Sequence, residues 1–348
     1  METNTMETIT TETNSTQTNI ADTKMSRKYF SKLGLILFAS TLLIYAVQIL
    51  AMKLSENVPA IAENGSLSFL VGMLPMYVVA FPIIFLMLKM VPAVTLEKKK
   101  MKPLHVFVAF LMTYAATYVC NIIGNVITTI IGVIKQSPVQ NVLMEVTSNI
   151  NPLVNFFIIV ICAPIMEELL FRKYLVDRTA KFGEGVAIVF SGLTFGFFHG
   201  NLIQFSYAFV LGMFFAFIYV KTGKLIYTII LHMIQNFMGS ILGLLVLNKS
   251  GFMELAEKLE TITDEAELIK LLTENVGGIA LFGVYLIFIL AIVFAGIIIF
   301  IVNAKKFRLN AGEVTIEKGK RFSTVILNLG MILYCVFWIV MIILQLFQ

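Results

Sequence analysis

Charge is scarce in this chain, and so are the residue types that usually do chemistry. Only 14% of its 348 residues are Asp, Glu, Lys or Arg, and it has three His, three Cys and one Trp. A soluble domain averages about 25% charged residues. The deficit leaves no stretch that is both polar and long enough to fold as a soluble domain. Cys120, Cys162 and Cys335 lie in apolar runs without C-x-x-C spacing. They read as small buried hydrophobes and say little about redox compartment. There is no G-x-S-x-G elbow, no H-E-x-x-H pair on one helix and no evident pair of intramembrane aspartates. The net charge of +5 sits in the loops. It carries topology information and does not imply nucleic-acid binding.

Apolar sequence is what the chain has instead. Hydrophobic residues make up 58% of it, and the mean hydropathy is +0.89. A membrane helix needs about 20 mainly apolar residues. Nine candidate spans follow: 33–52, 67–90, 104–134, 152–172, 185–201, 204–220, 225–247, 277–303 and 323–346. The third is over-long, and the fifth is short with a break at Gly200-Asn201. The fold class is therefore all-α, a polytopic transmembrane helix bundle of about eight to nine spans. Residues 25–348 are expected to form this single transmembrane domain. Residues 1–24 are rich in Thr, Asn and Glu and are expected to be a disordered polar tail, without the basic-then-apolar pattern of a signal peptide.

Basic residues orient the spans. Lys24, Arg27, Lys28 and Lys32 precede the first, and Lys98, Lys99, Lys100 and Lys102 follow the second. Arg172, Lys173, Arg178 and Lys181 follow the fourth, Lys221 and Lys224 the sixth, and Lys305 to Arg321 the eighth. Alternating spans put all five groups on one side, which the positive-inside rule makes cytoplasmic. The N-terminus is then cytoplasmic. The acidic loop 248–276 lies on the other side and has the pattern of a short amphipathic helix.

Glu167 and Glu168 stand out against this background. They lie near one end of the apolar run 155–175. A carboxylate inside a bilayer costs roughly 2.5–3.5 kcal/mol on insertion scales, and such residues mark functional sites by default. Glu168 and Arg172 are four apart and share a helix face, so Arg172 can neutralise Glu168. Glu167 points about 100° away at 3.6 residues per turn and is freer to face a cavity as a general base. Taken alone, the pair reads equally well as an ion pair at a helix end. His199 taken alone reads as a packing residue. His232 and Asn236, again four apart, can donate hydrogen bonds to a developing oxyanion or serve as polar helix–helix contacts. Two His and a Glu can also ligate zinc, leaving a position for water.

The motifs Glu167-Glu168-Leu169-Leu170-Phe171-Arg172, Phe195-Gly196-Phe197-Phe198-His199 and His232-Met233-Ile234-Gln235-Asn236 resemble, in order and spacing, the EExxxR, FxxxH and HxxxN motifs of the CPBP family. That family comprises intramembrane proteases: CAAX-processing, Ras-converting endopeptidases and bacterial bacteriocin-processing or immunity proteins. The resemblance covers roughly residues 150–240, which it marks as the catalytic core. It implies a membrane endopeptidase acting on a membrane-associated protein or peptide precursor near the cytoplasmic face. Glu167, assisted by His199, would activate water, His232 and Asn236 would stabilise the oxyanion, and Glu168 and Arg172 would organise the site. Many family members are classed as metalloproteases. A zinc ion here would take Glu167, His199 and His232. The composition, rich in Lys, Ile and Asn, suggests a bacterial plasma membrane. Two other readings compete: a non-catalytic immunity or scaffold protein of the same fold, and a proton-coupled transporter.

One feature of the spans strains a common site. At 1.5 Å per residue, Glu167 and His232 lie roughly 8–10 Å from the cytoplasmic side and His199 roughly 20 Å. Convergence is expected to come from a fourth helix that continues past Arg172.

Overall fold

The computed structural model describes residues 3–140 and 150–347, with side chains from Thr23 onward except Glu260. Among the described residues every regular element is helical and none is a strand. Among the described residues, nine main helices form the bundle. They are α1 (Thr3–Ser55), α2 (Gly65–Lys89), α3 (Pro103–Lys135), α4 (Pro152–Phe182), α5 (Glu184–Phe198), α6 (Leu202–Thr222), α7 (Leu225–Ser250), α8 (Val276–Lys306) and α9 (Leu329–Leu346). Eight are long and apolar enough to cross a membrane, α1 through its part Thr23–Ser55. The ninth, α5, has 15 residues. At 1.5 Å per residue it spans about 22 Å, short of a hydrocarbon core of about 30 Å. The expected disordered tail, 1–24, falls largely on residues 1–22, whose side chains lie outside the described residues.

The burial pattern suits lipid. Ile287 and Val302 are 70% and 69% exposed, whereas Glu168 and Arg172 are 0% exposed. Lipid-facing surfaces are apolar, and ionisable groups turn inward to partners.

Long-range hydrogen bonds collect the basic segments at one end. Val94 N–H donates to the Asp177 carbonyl at 2.7 Å, Lys99 N–H to Thr222 at 2.8 Å and Val314 N–H to Lys181 at 2.9 Å. Arg27 reaches the Leu327 carbonyl at 2.7 Å, and Lys221 pairs with Glu184. The opposite end is tied by Asn151 N–H to Ser66 Oγ at 2.8 Å and by Lys135 to the Leu346 carbonyl at 2.6 Å. Where the sequence suggested one amphipathic helix, there are two, Phe252–Thr261 and Glu265–Glu274. Asp264 caps the second by accepting from Glu267 N–H at 3.1 Å.

Helices α5 and α6 form a tight hairpin that starts and ends at the basic end. An added Cβ on Gly192 would meet the Phe209 carbonyl at 2.9 Å, so small residues set this approach. At its basic end, Gly223 closes α6 with φ of 59°. A Cβ there would run into the Glu97 carbonyl oxygen. Gly223→Ala is therefore expected to destabilise the protein by at least the roughly 1–2 kcal/mol of a left-handed non-glycine residue. Thermal melting of the purified variant checks this.

Candidate active site

Helix α4 places the two carboxylates. It runs to Phe182, so it continues past Arg172, as convergence of the site demanded. Gly183 then turns the chain into α5. Glu167 lies fifteen residues before Phe182, and His199 lies fifteen after Glu184. Two antiparallel legs of equal length bring these residues to one depth. The mismatch in the sequence-based depths came from ending the fourth span at residue 172.

Helical geometry around the carboxylates is irregular. Phe156–Cys162 and Leu169–Val176 are π-helical, as is Phe237–Leu242 directly after Asn236. Such segments occur frequently at functional sites. Pro164 explains one consequence. In the π register, Ala163 N–H bonds the Ile158 carbonyl. The next donor would be residue 164, and proline has no N–H. The Ile159 carbonyl is thereby released, and Asn236 Nδ2 donates to it at 2.8 Å. Four residues earlier on α4, Asn155 is 1% exposed and donates to the Ser240 carbonyl of α7 at 3.4 Å. These two contacts fix α7 against α4.

Glu168 is the centre of a buried cluster. Its Oε2 lies 3.1 Å from Arg172 Nε, with both side chains 0% exposed. This is the ion pair expected from the spacing. The approach is not aligned as a hydrogen bond, and the guanidinium nitrogens have no hydrogen-bond partner among the described residues. Aromatic faces support the cation instead: Arg172 Cζ lies 4.5 Å from the Phe195 ring centroid and 5.4 Å from that of Phe215. Cation–π attraction is stronger when desolvated.

His232 stands between the carboxylates. Its Nδ1 is 3.0 Å from Glu168 Oε1, and its Nε2 is 3.6 Å from Glu167 Oε2. An ionised carboxylate only accepts, so the Nδ1 position carries a proton. The second distance is an ionic approach and too long for a hydrogen bond. Helical spacing separates the carboxylates by direction, yet both address this one imidazole. Glu167 is the outlet of the cluster: its side chain is 14% exposed, against 4% for His232 and none for Glu168.

His199 joins through Phe195. It ends α5, and its Nδ1 bonds the Phe195 carbonyl at 2.9 Å, so that nitrogen donates and Nε2 keeps its lone pair. The Phe195 ring stands edge-on to His199 at 4.8 Å and to His232 at 5.7 Å. Gly200, with φ of 66°, turns the chain directly after His199, and an added Cβ would meet Trp338 Cζ3 at 2.9 Å. Helix α9 thus backs the turn. Asn201 bonds the His199 carbonyl at 3.2 Å and caps α6 through Gln204 N–H at 2.8 Å.

The structure brings Glu167, Glu168, Arg172 and His232 into one cluster, adds His199 across Phe195, and anchors Asn236 one turn along α7. It does not gather the residues named for zinc into a ligand set. His232 turns its nitrogens to the two carboxylates, His199 commits Nδ1 to a carbonyl, and among the described residues no group of three or more His, Cys, Asp or Glu is arranged to hold a metal ion. Sequence reasoning missed Phe215, Asn155 and Tyr207, the last an electrostatic neighbour of Glu167. An aromatic or amide in an apolar helix gives no signal of such a role until helices are packed.

Chemically, the cluster offers a partly open carboxylate backed by an imidazole, a buried counter-charge and an anchored carboxamide. Comparison with curated proteins and with solved structures returned no match. Residues 149–238, which contain all three motifs, match the family model described as Rce1-like, Type II CAAX prenyl endopeptidase Rce1-like, and this match supports assigning the chain to the CPBP/CAAX protease family.

Proposed function

We propose that the chain is an intramembrane endopeptidase in which Glu167 activates water to hydrolyse a peptide bond of a membrane-associated protein or peptide precursor. The family assignment implies a protease of the CAAX type. The observation that carries the mechanism is the position of Glu167, the exposed edge of an otherwise buried charge cluster. With a neutral imidazole, Glu167, Glu168, Arg172 and His232 carry one net negative charge. The cluster can therefore take up one proton without creating positive charge inside the bilayer.

Glu167 accepts a proton from water, aided by the free Nε2 of His199. The hydroxide oxygen attacks the scissile carbonyl, and the proton returns through Glu167 to the leaving amine. His232, 3.6 Å from Glu167 Oε2, is placed to share that proton. Asn236 has one N–H committed to Ile159 and a second to offer the oxyanion. The basic end is read as cytoplasmic by the positive-inside rule, in a bacterial plasma membrane with the N-terminus inside, and substrate is expected to enter from that side. A bacteriocin-like precursor or a membrane-protein tail fits this reading.

Product mass spectrometry of membranes carrying the wild type or Glu167→Ala tests the proposal. A peptide missing only in the variant would give the substrate and its cleavage site together. Activity is expected to survive exhaustive dialysis against a strong chelator. Loss on chelation, restored by zinc, would mean that Glu167, His199 and His232 rearrange into a ligand set.

A further inference from the structure

Helix α2 holds a buried polar group that the mechanism above leaves unused. Tyr77 lies in the π-helical segment Met76–Ala80 and is 7% exposed. Its hydroxyl has no hydrogen-bond partner among the described residues. Burying a hydroxyl without a partner costs stability. A fold that retains one in its core invites a functional explanation.

Helix register puts this hydroxyl at the level of Glu167. Helices α2 and α4 both run towards the basic end. They are aligned there by Arg178 Nε donating to the Leu88 carbonyl at 2.7 Å and by Phe85 stacking on Tyr174, with centroids 4.6 Å apart and planes 2° apart. Tyr77 lies eleven residues before Leu88, and Glu167 lies eleven before Arg178. Two parallel helices tied by both this bond and this ring stack keep an approximate register over about three turns, which carries Tyr77 to roughly the depth of Glu167. Consistently, Glu167 and Cys162 are the electrostatic neighbours of the Tyr77 hydroxyl.

The other donors at this level are largely committed. His232 gives Nδ1–H to Glu168 and turns Nε2 towards a carboxylate. One Asn236 N–H is held by Ile159. An oxyanion formed on the scissile carbonyl would then find one free carboxamide N–H, where acyl-transfer sites usually offer two donors.

We propose that Tyr77 supplies the second donor: its hydroxyl hydrogen-bonds the oxygen of the scissile carbonyl as negative charge develops there, opposite the water activated by Glu167. This rests on the peptidase reading. No bond to Tyr77 forms or breaks, and the hydroxyl keeps its proton.

Tyr77→Phe tests the assignment in the full-length purified protein with the substrate found by mass spectrometry. The ring contact with Phe81, at 5.9 Å between centroids, is preserved. Loss of an oxyanion donor is expected to lower kcat about 10²–10³-fold with little change in KM. The melting temperature should stay the same or rise, because an unpaired buried hydroxyl is removed. Wild-type kcat, a loss confined to KM, or a lowered melting temperature would each overturn the proposal. Glu167→Gln is assayed alongside. Turnover retained there defeats the peptidase reading itself, whereas turnover lost there but normal in Tyr77→Phe defeats only the role given to Tyr77.

Discussion

Glu167→Gln is expected to abolish detectable turnover while leaving the protein folded in the membrane. The substitution keeps the shape of the side chain and removes the base. General base catalysis contributes about 10²–10⁴-fold on its own. Here the loss should be at the upper end or beyond, because Glu167 is the one member of the buried cluster with appreciable exposure. Folding should survive for a related reason. Glu168, not Glu167, pairs with Arg172, so the amide strands no buried cation. The checks are cleavage of the identified substrate and thermal melting of the same preparation. Full biological function in this variant would remove the peptidase reading and favour the non-catalytic immunity or scaffold reading.

Arg172→Met should have the opposite signature, a large loss of stability. Glu168 and Arg172 are both 0% exposed. Removing the cation leaves the carboxylate buried, with His232 as its remaining polar contact. Breaking a buried pair in this way typically costs about 3–5 kcal/mol. The variant is expected to melt well below the wild type in detergent, with activity lost through misassembly. Combining it with Glu168→Gln should recover part of the stability, since no unpaired charge then remains, and the two changes should be far from additive. Wild-type melting of Arg172→Met would show that the pair is not what holds α4 at the site. Together these variants separate the two adjacent glutamates by role: chemistry for one, assembly for the other.

Local interactions were readable from the sequence because they depend only on spacing. Apolar runs of membrane length gave the helices, and alternation of the basic loops grouped them on one side before hydrogen bonds such as Val94–Asp177 and Lys99–Thr222 showed them at one end. The Glu168–Arg172 pair is four residues apart, so one helix suffices to form it. The three motifs named the family-like core. The expected continuation of the fourth helix past Arg172 is present and reaches Phe182, because polar residues can stay helical beyond an apolar run when tertiary contacts hold them. One candidate span changed in detail. The fifth candidate span is a 15-residue hairpin leg, because Gly200 reverses the chain directly after His199.

Sequence by itself thus determined an all-helical membrane bundle, its spans and the identity of six polar residues worth watching. Only tertiary structure decided how those residues meet. His232 faces two carboxylates from another helix, Asn236 takes a carbonyl that Pro164 released, and the Arg178–Leu88 bond with the Phe85–Tyr174 stack sets the register of the helix that carries Tyr77 against the one that carries Glu167. Each contact joins segments distant in the chain, and each depends on relative depth and rotation. Those are set by the packing of all the helices at once, and no spacing within one helix encodes them.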